Sequence, residues 1–261
     1  MKTAEWLKKY GIVLKKSLGQ VFLSDQRIAE KIALYVPHDS EVVEVGAGAG
    51  TLTEELARRV RKVIAVEIDR RLESLLKERL EPFSNVVIVF EDFLKLDLGE
   101  FREHVFVGNL PYHLGTRIIE KVLKETSTPL AIFMLQKEVA QRITARPGSK
   151  SYGSFSVFVQ SVCDVDVLFH VSPSHFLPNP RVESTVIRLK PVRSLPEDDF
   201  ERFVRKCFSN RRKKLVNSAG LSEEILKNLG IPSNARAEDL SVKDYKKLFE
   251  VVREWRKTST T

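Results

Sequence analysis

Val42-Val43-Glu44-Val45-Gly46-Ala47-Gly48-Ala49-Gly50 runs from β-branched residues straight into three glycines spaced two apart. Residues 41–45 read as a strand. The glycines let the chain turn from that strand into a helix and let a ligand approach the backbone with no Cβ in the way. Leu52, Leu56 and Val60 then recur every four residues on one helix face, and Val63-Ile64-Ala65-Val66 supplies a second strand. Strand, glycine turn, helix and strand make one parallel crossover unit. Alone, the turn fits a plain structural bend, a dinucleotide or another nucleoside ligand equally well.

The same rhythm continues outward. Leu72, Leu75, Leu76 and Leu80 mark a helix, and residues 86–90 and 105–107 give strands three and four. Ile118, Ile119, Val122 and Leu123 form a helix face, and residues 130–135 a fifth strand. A helix over 137–145 stops at Arg146-Pro147-Gly148. Residues 154–169 and 184–190 then read as two long strands joined by a loop with prolines at 173, 178 and 180, so the sheet is expected to end in an antiparallel pair. Beyond Pro191 the pattern is helical, opening at Pro196-Glu197-Asp198-Asp199. The expectation is an α/β chain: a catalytic domain over 1–190 and a small helical domain over 191–261.

Chemistry-bearing residues follow the strands. Glu67 closes the second strand, with Asp69 just after it, and an acid there can accept both ribose hydroxyls of an adenosine group. That much fits NAD and S-adenosylmethionine alike. Asp92, after the third strand, is placed to accept from an adenine amine, with Phe93 beside the same ring. Its plainer role is a helix cap or turn acid.

Asn109-Leu110-Pro111-Tyr112 follows the fourth strand. An adenine N6 amine is planar because its lone pair is delocalised into the ring. If the Asn109 side-chain oxygen and the Leu110 carbonyl each accept one N6 hydrogen, the nitrogen is drawn towards a tetrahedral shape and its lone pair is freed. Pro111 fixes the aim of that carbonyl, and Tyr112 offers a ring face to the base. A strand-ending turn is the bland alternative. An NAD-dependent oxidoreductase would leave this string unexplained, whereas a DNA adenine methyltransferase would use a similar clamp, usually with aspartate in place of Asn109.

With those residues in hand, the chain resembles the ribosomal RNA adenine N6,N6-dimethyltransferases, and most closely their small-subunit (16S) branch. The likeness begins at Lys15-Lys16-Ser17-Leu18-Gly19-Gln20-Val21-Phe22-Leu23, similar to the family's Gly-Gln-Asn-Phe-Leu segment across the cofactor. It runs through the glycine loop, Glu67, Asp92 and the clamp, and ends at Phe176-Leu177-Pro178-Asn179-Pro180-Arg181-Val182, similar to the family's Phe-x-Pro-x-Pro-x-Val loop. The resemblance implies a Rossmann-like S-adenosylmethionine-dependent fold. It places Gln20, Val21, Leu23, Gly46, Gly48, Glu67, Asp92, Phe93 and Asn109 at the cofactor, with S-adenosylhomocysteine as product. It makes Phe176 a second aromatic wall opposite Tyr112, the alternative being a core phenylalanine anchoring a proline-rich loop. Val21 stands where the family has asparagine, so a contact there must come from the backbone or be lost. His113-Leu114-Gly115-Thr116 replaces the commoner Asn-Ile-Ser-Thr, and the clamp needs no general base from His113.

A formal charge of +8 favours a polyanionic partner. Lys15 and Lys16 near the cofactor entrance and Arg211, Arg212, Lys213 and Lys214 in the helical part are the candidate RNA contacts; a solvated face is the plain reading of such a run. The resemblance implies small-subunit rRNA in a pre-30S particle as partner, N6,N6-dimethyladenosine at two adjacent sites near the 3′ end, and a monomer. Its alternatives are a large-subunit dimethyltransferase of the macrolide-resistance type and a largely non-catalytic assembly factor. Two cysteines, Cys163 and Cys207, are too few for a disulfide framework, and the five histidines show no metal-binding spacing, so no metal is expected. The longest apolar stretch is far short of the roughly 20 residues that span a bilayer. A cytoplasmic address with no membrane partner follows.

Overall fold

The computed structural model describes residues 1–14, 20–192, 198–211 and 213–258, excluding the side chains at 198 and 255–258. Among the described residues nine strands form: β1 (Phe22–Leu23), β2 (Glu41–Val45), β3 (Lys62–Glu67), β4 (Val86–Phe90), β5 (Val105–Asn109), β6 (Ala131–Gln136), β7 (Cys163–Val171), β8 (Phe176–Leu177) and β9 (Ser184–Pro191). Seven build one sheet in the order β4-β3-β2-β5-β6-β9-β7, while β1 and β8 pair separately. The chain steps from β2 through β3 to β4 on one side, then restarts at β5 on the other side of β2. All these pairs are parallel. The reversal beside β2 is a topological switch point, where open α/β sheets leave a crevice at the carboxyl ends of their strands.

The central strands are buried on both faces, which explains their near-continuous apolar runs: Val42, Val43, Val63, Ala65, Val107, Ile132 and Phe133 are fully enclosed. Each valine or isoleucine so buried contributes about 1.5–3 kcal/mol. Helices α1 (Thr3–Lys9), α2 (Gln26–Ala33), α3 (Thr51–Ala57), α4 (Glu73–Leu80) and α5 (Gly115–Glu125) accompany this sheet, followed by α6 (Lys137–Ile143). Asn85 steadies the turn after α3 by donating to the carbonyls of Ala57 and Val60, both at 2.9 Å.

One expectation needs correction. Residues 154–169 are not one strand: Ser154–Val162 is helix α7, and β7 begins only at Cys163. Val157, Phe158, Val159 and Val162 are all buried, so α7 has no polar stripe to reveal its period, and a buried helix then looks like a buried strand in sequence. The sheet does end in the two strands either side of the proline loop, with β7 at the edge beside β9, and β9 pairs antiparallel with β6. Contacts gather 1–140 with 166–191 in one unit and 141–165 with 192–261 in the other, so a stretch from before residue 190 joins the helical unit.

The helical unit holds α7 with α8 (Asp198–Phe208), α9 (Leu215–Ala219), α10 (Glu223–Asn228) and α11 (Val242–Thr258). Its core contains Tyr152, Phe200, Cys207, Leu215 and Tyr245, and both tyrosine hydroxyls find carbonyls, Leu240 at 3.0 Å and Ala237 at 2.6 Å. Cys163 and Cys207 are buried and unbridged, and burial pushes both thiols up to about 12.

Gly108 packs where β5 meets β2 too tightly for a side chain. A Cβ there would lie 2.5 Å from the Val45 carbonyl oxygen. Gly108→Ala is expected to destabilise the fold by about 1–3 kcal/mol, read as a lower Tm in thermal denaturation; an unchanged Tm would show that β2 and β5 can separate without cost.

Candidate active site

The switch point gathers the ends of four adjacent strands into one open cleft of about 1000 Å³. The loop after β2 supplies Gly46 and Gly48, both left-handed, with φ of 82° and 56°. At Gly48 a Cβ would also strike the Phe22 ring, 2.8 Å away. The Gly48 N–H donates to Glu67 Oε2 at 2.7 Å, and the Asp69 N–H donates to Glu67 Oε1 at 2.8 Å. Each carboxylate oxygen is therefore fixed by one backbone donor and keeps further acceptor capacity. From behind, buried Arg79 donates to the Ala49 carbonyl at 2.7 Å and pairs with Glu54 at 2.8 Å, holding the glycine loop against α4.

Two buried acids shape the field of the cleft. Burial raises the pKa of Glu67 against the opposing pull of nearby backbone N–H groups. Glu44 is 1% exposed yet lines the cleft, and its Oε2 has no hydrogen-bond partner. Burial, with a smaller contribution from nearby Glu67, pushes Glu44 up to about 8, against the relief from Thr53 and Arg79. A lone buried carboxyl facing a pocket is suited to a cationic ligand.

Asp92 and Phe93, after β4, also line the cleft. Asp92 Oδ1 accepts from the Leu94 N–H at 3.0 Å, so it is a turn acid as well as a wall residue. Phe93 is buried with its ring packed against Phe106 at 6.2 Å, edge to face. Ile68, half exposed between Glu67 and Asp69, adds an apolar wall the sequence reading missed. The only signal was an aliphatic residue in an otherwise charged strand end.

Asn109 ends β5, and its side-chain Nδ2 donates to the Val21 carbonyl oxygen at 2.8 Å. Val21 thus contributes its backbone carbonyl to a bond within the protein. Gln20, Val21 and Leu23 all border the cleft. Gln20 donates to Asp69 at 2.7 Å, and Arg71 pairs with Asp69 and reaches the Val13 carbonyl at 2.9 Å. Arg71 and Gln20 together hold the Asp69 carboxyl below the usual range. This strap was not foreseen. Leu110, Pro111 and Tyr112 line the opposite wall, with the Leu110 N–H fixed on the Met134 carbonyl at 3.0 Å. His113 is exposed and does not border the cleft.

Phe176, expected as a second aromatic wall, sits on β8. It pairs with Leu23 across β8 and β1, is 2% exposed in the core cluster, and is absent from the cleft wall. Strand alternation turns it inward and leaves Leu177 half exposed. Among the basic residues, Arg211 pairs with Glu238 and donates to the Lys150 and Ser149 carbonyls at 2.7 and 3.0 Å, so its guanidinium is committed inside the helical unit. Lys213 and Lys214 are exposed. Lys15, Lys16 and Arg212 lie outside the described residues.

Residues 12–254 match the family model described as ribosomal RNA adenine dimethylase. The chain belongs to that family. Relatives called ribosomal RNA small subunit methyltransferase A include one from Thermotoga neapolitana, 47% identical over 98% of this chain and 97% of its own length. One from Bacillus pumilus is 40% identical over 97% and 96%. Family members of known structure share the architecture. A dimethyladenosine transferase from Plasmodium falciparum superposes with a TM-score of 0.80 at 26% identity, covering 89% of this chain and 98% of that one. The 23S rRNA methyltransferase ErmE gives 0.72 at 28%, covering 88% and 98%.

Glu44 makes stability depend on pH with a definite sign. Its folded pKa lies above its ordinary value of 4.5, so the folded state keeps a proton that the unfolded state has lost between about 4.5 and 8. Stability from this group is present below that window and declines as pH rises through it. Glu44→Gln should flatten the decline and raise Tm above that of the wild type at pH 9; a parallel pair of Tm profiles from pH 5 to 9 would mean that Glu44 is not held neutral.

Proposed function

We propose that this chain transfers methyl groups from S-adenosylmethionine to N6 of two adjacent adenosines near the 3′ end of small-subunit rRNA, giving N6,N6-dimethyladenosine. It acts as a monomer on an assembling 30S particle in the cytoplasm. The observation that carries the reading is the orientation of Asn109: its amide nitrogen is spent on the Val21 carbonyl, which leaves its oxygen as the free end at the cleft. The relatives named for the small subunit favour that RNA over the large-subunit one.

The cleft fits the methyl donor. Glu67, braced by two backbone N–H groups, has acceptor capacity for ribose hydroxyls, Asp92 and Phe93 suit an adenine edge and face, and the orphaned Glu44 oxygen suits positive charge. Gly46, Gly48, Gln20, Val21 and Leu23 enclose it. When bound, the sulfonium supplies an electrophilic methyl group.

The chain's own work is to prepare the amine. Asn109 Oδ1 and the Leu110 carbonyl accept the two N6 hydrogens, which localises the nitrogen lone pair, and Tyr112 presents its ring to the base. Stacking contributes about 1–3 kcal/mol. Holding nitrogen and methyl in line is worth about 7–11 kcal/mol, so orientation is the larger effect. The surplus proton leaves to water, and no side-chain base is required. The acceptor must leave its stacked position to enter.

RNA contacts belong to exposed Lys213 and Lys214, with Lys15, Lys16 and Arg212 as further candidates. Arg211 acts by holding the helical unit together.

Asn109→Ala should abolish transfer of labelled methyl to small-subunit particles lacking the modification, while cofactor binding by calorimetry changes little; retained transfer would refute the clamp. Lys213→Ala with Lys214→Ala should reduce the salt slope of RNA binding by roughly 0.7–0.9 log units per residue. A slope equal to that of the wild type would remove both from the interface.

A further inference from the structure

Two hydroxyls at the clamp lack a settled partner. Tyr112 Oη and Ser184 Oγ are both buried atoms with no hydrogen bond among the described residues. Yet the Ser184 hydroxyl is the polar side chain that acts on the phenol, lowering its pKa against the larger rise from burial. A buried hydroxyl left without a partner is costly, so an arrangement that joined the two would be favoured.

Topology explains how a residue 72 positions further on reaches the clamp. β5 ends at Asn109, whose neighbour on β6 is Met134, and Met134 in turn faces Val186 on β9. Because β9 runs antiparallel to β6, its first residue, Ser184, lies opposite Gln136 at the carboxyl edge of the parallel strands. That end of β9 is fixed. The Lys137 N–H donates to the Glu183 carbonyl at 2.9 Å, and Lys137 Nζ pairs with Glu183 at 2.6 Å. Ser184 itself is 1% exposed in the sheet, while Tyr112 is only partly buried at the cleft wall. Of the two, the tyrosine is the one with room to turn.

We infer that Ser184 is a positioning residue for the methyl-accepting base. Its hydroxyl accepts a hydrogen bond from the Tyr112 phenol when the base packs on the ring, and so fixes the angle of the ring face. A small rotation of Tyr112 closes the bond, and base entry and hydroxyl pairing then favour one another. The inference rests on the reading of Tyr112 as the stacking face.

The test is a double-mutant cycle in single-turnover methyl transfer to unmodified small-subunit particles, using Ser184→Ala, Tyr112→Phe and both together. A 2-aminopurine at the acceptor position reports stacking by its quenching. The expected result is a roughly tenfold slower transfer in each single variant, with no further loss in the double, weaker quenching in Ser184→Ala, and unchanged S-adenosylmethionine affinity. Ser184→Thr, which keeps the hydroxyl, should recover most of the rate. Transfer by Ser184→Ala within twofold of the wild type overturns the inference, as does the same loss when serine is removed from the Tyr112→Phe background. Should Ser184→Ala fail to fold, Tyr112→Phe decides alone: it keeps the ring face, and a normal rate and normal quenching there overturn the inference. Tyr112→Ala separates the two levels, because full activity in that variant would sink the stacking reading itself.

Discussion

Parallel pairing of β2 with both β3 and β5 is the constraint from which the site follows. Had the chain continued past β4 in one direction, Asn109 would stand several strands away from the glycine loop. The switch instead makes their strands neighbours, and the crevice between diverging connections becomes the cleft. The fit between those strands is tight enough that β5 carries a glycine one residue before Asn109, against the Val45 carbonyl. The backbone spacing that places the clamp beside the glycine loop is thereby set by an absent side chain.

Much of this was legible in the sequence because strand ends carry both kinds of signal. Apolar β-branched runs gave the elements, and the polar or glycine residues that stop them gave the site: Gly46, Glu67, Asp92 and Asn109 all border one cleft. What stayed hidden depends on contacts between distant segments. Helix α7 hid because burial on all sides removes the stripe that periodicity needs. The burial of Phe176 hid as well, because its motif tells of a loop near the site, whereas which way a strand residue faces depends on pairing with β1. Arg211 sits in a basic run that looks like an RNA-binding face, and only folding brings Glu238 and two carbonyls to its guanidinium. The strap through Gln20, Asp69 and Arg71 was beyond reach for the same reason.

The cleft also holds an imbalance that the fold tolerates. Glu44 and Glu67 lie on adjacent parallel strands, both buried, and the nearby guanidinium of Arg79 is already committed to Glu54 and the Ala49 carbonyl. Retaining an acid with an orphaned oxygen costs stability, since an apolar residue of similar size would avoid the desolvation. Such a cost at the floor of a pocket is the usual mark of a site shaped for a ligand rather than for the folded chain alone.

The hydrogen bond from Asn109 to the Val21 carbonyl has a consequence for the type of side chain this position accepts. A carboxamide is two-ended, one end giving protons and the other receiving them, and here the giving end meets a backbone oxygen. An aspartate in its place would turn one oxygen against another and lose the tether to the amino-terminal segment. The asparagine thus does two unlike jobs at once, and the segment crossing the cleft selects the amide over the acid.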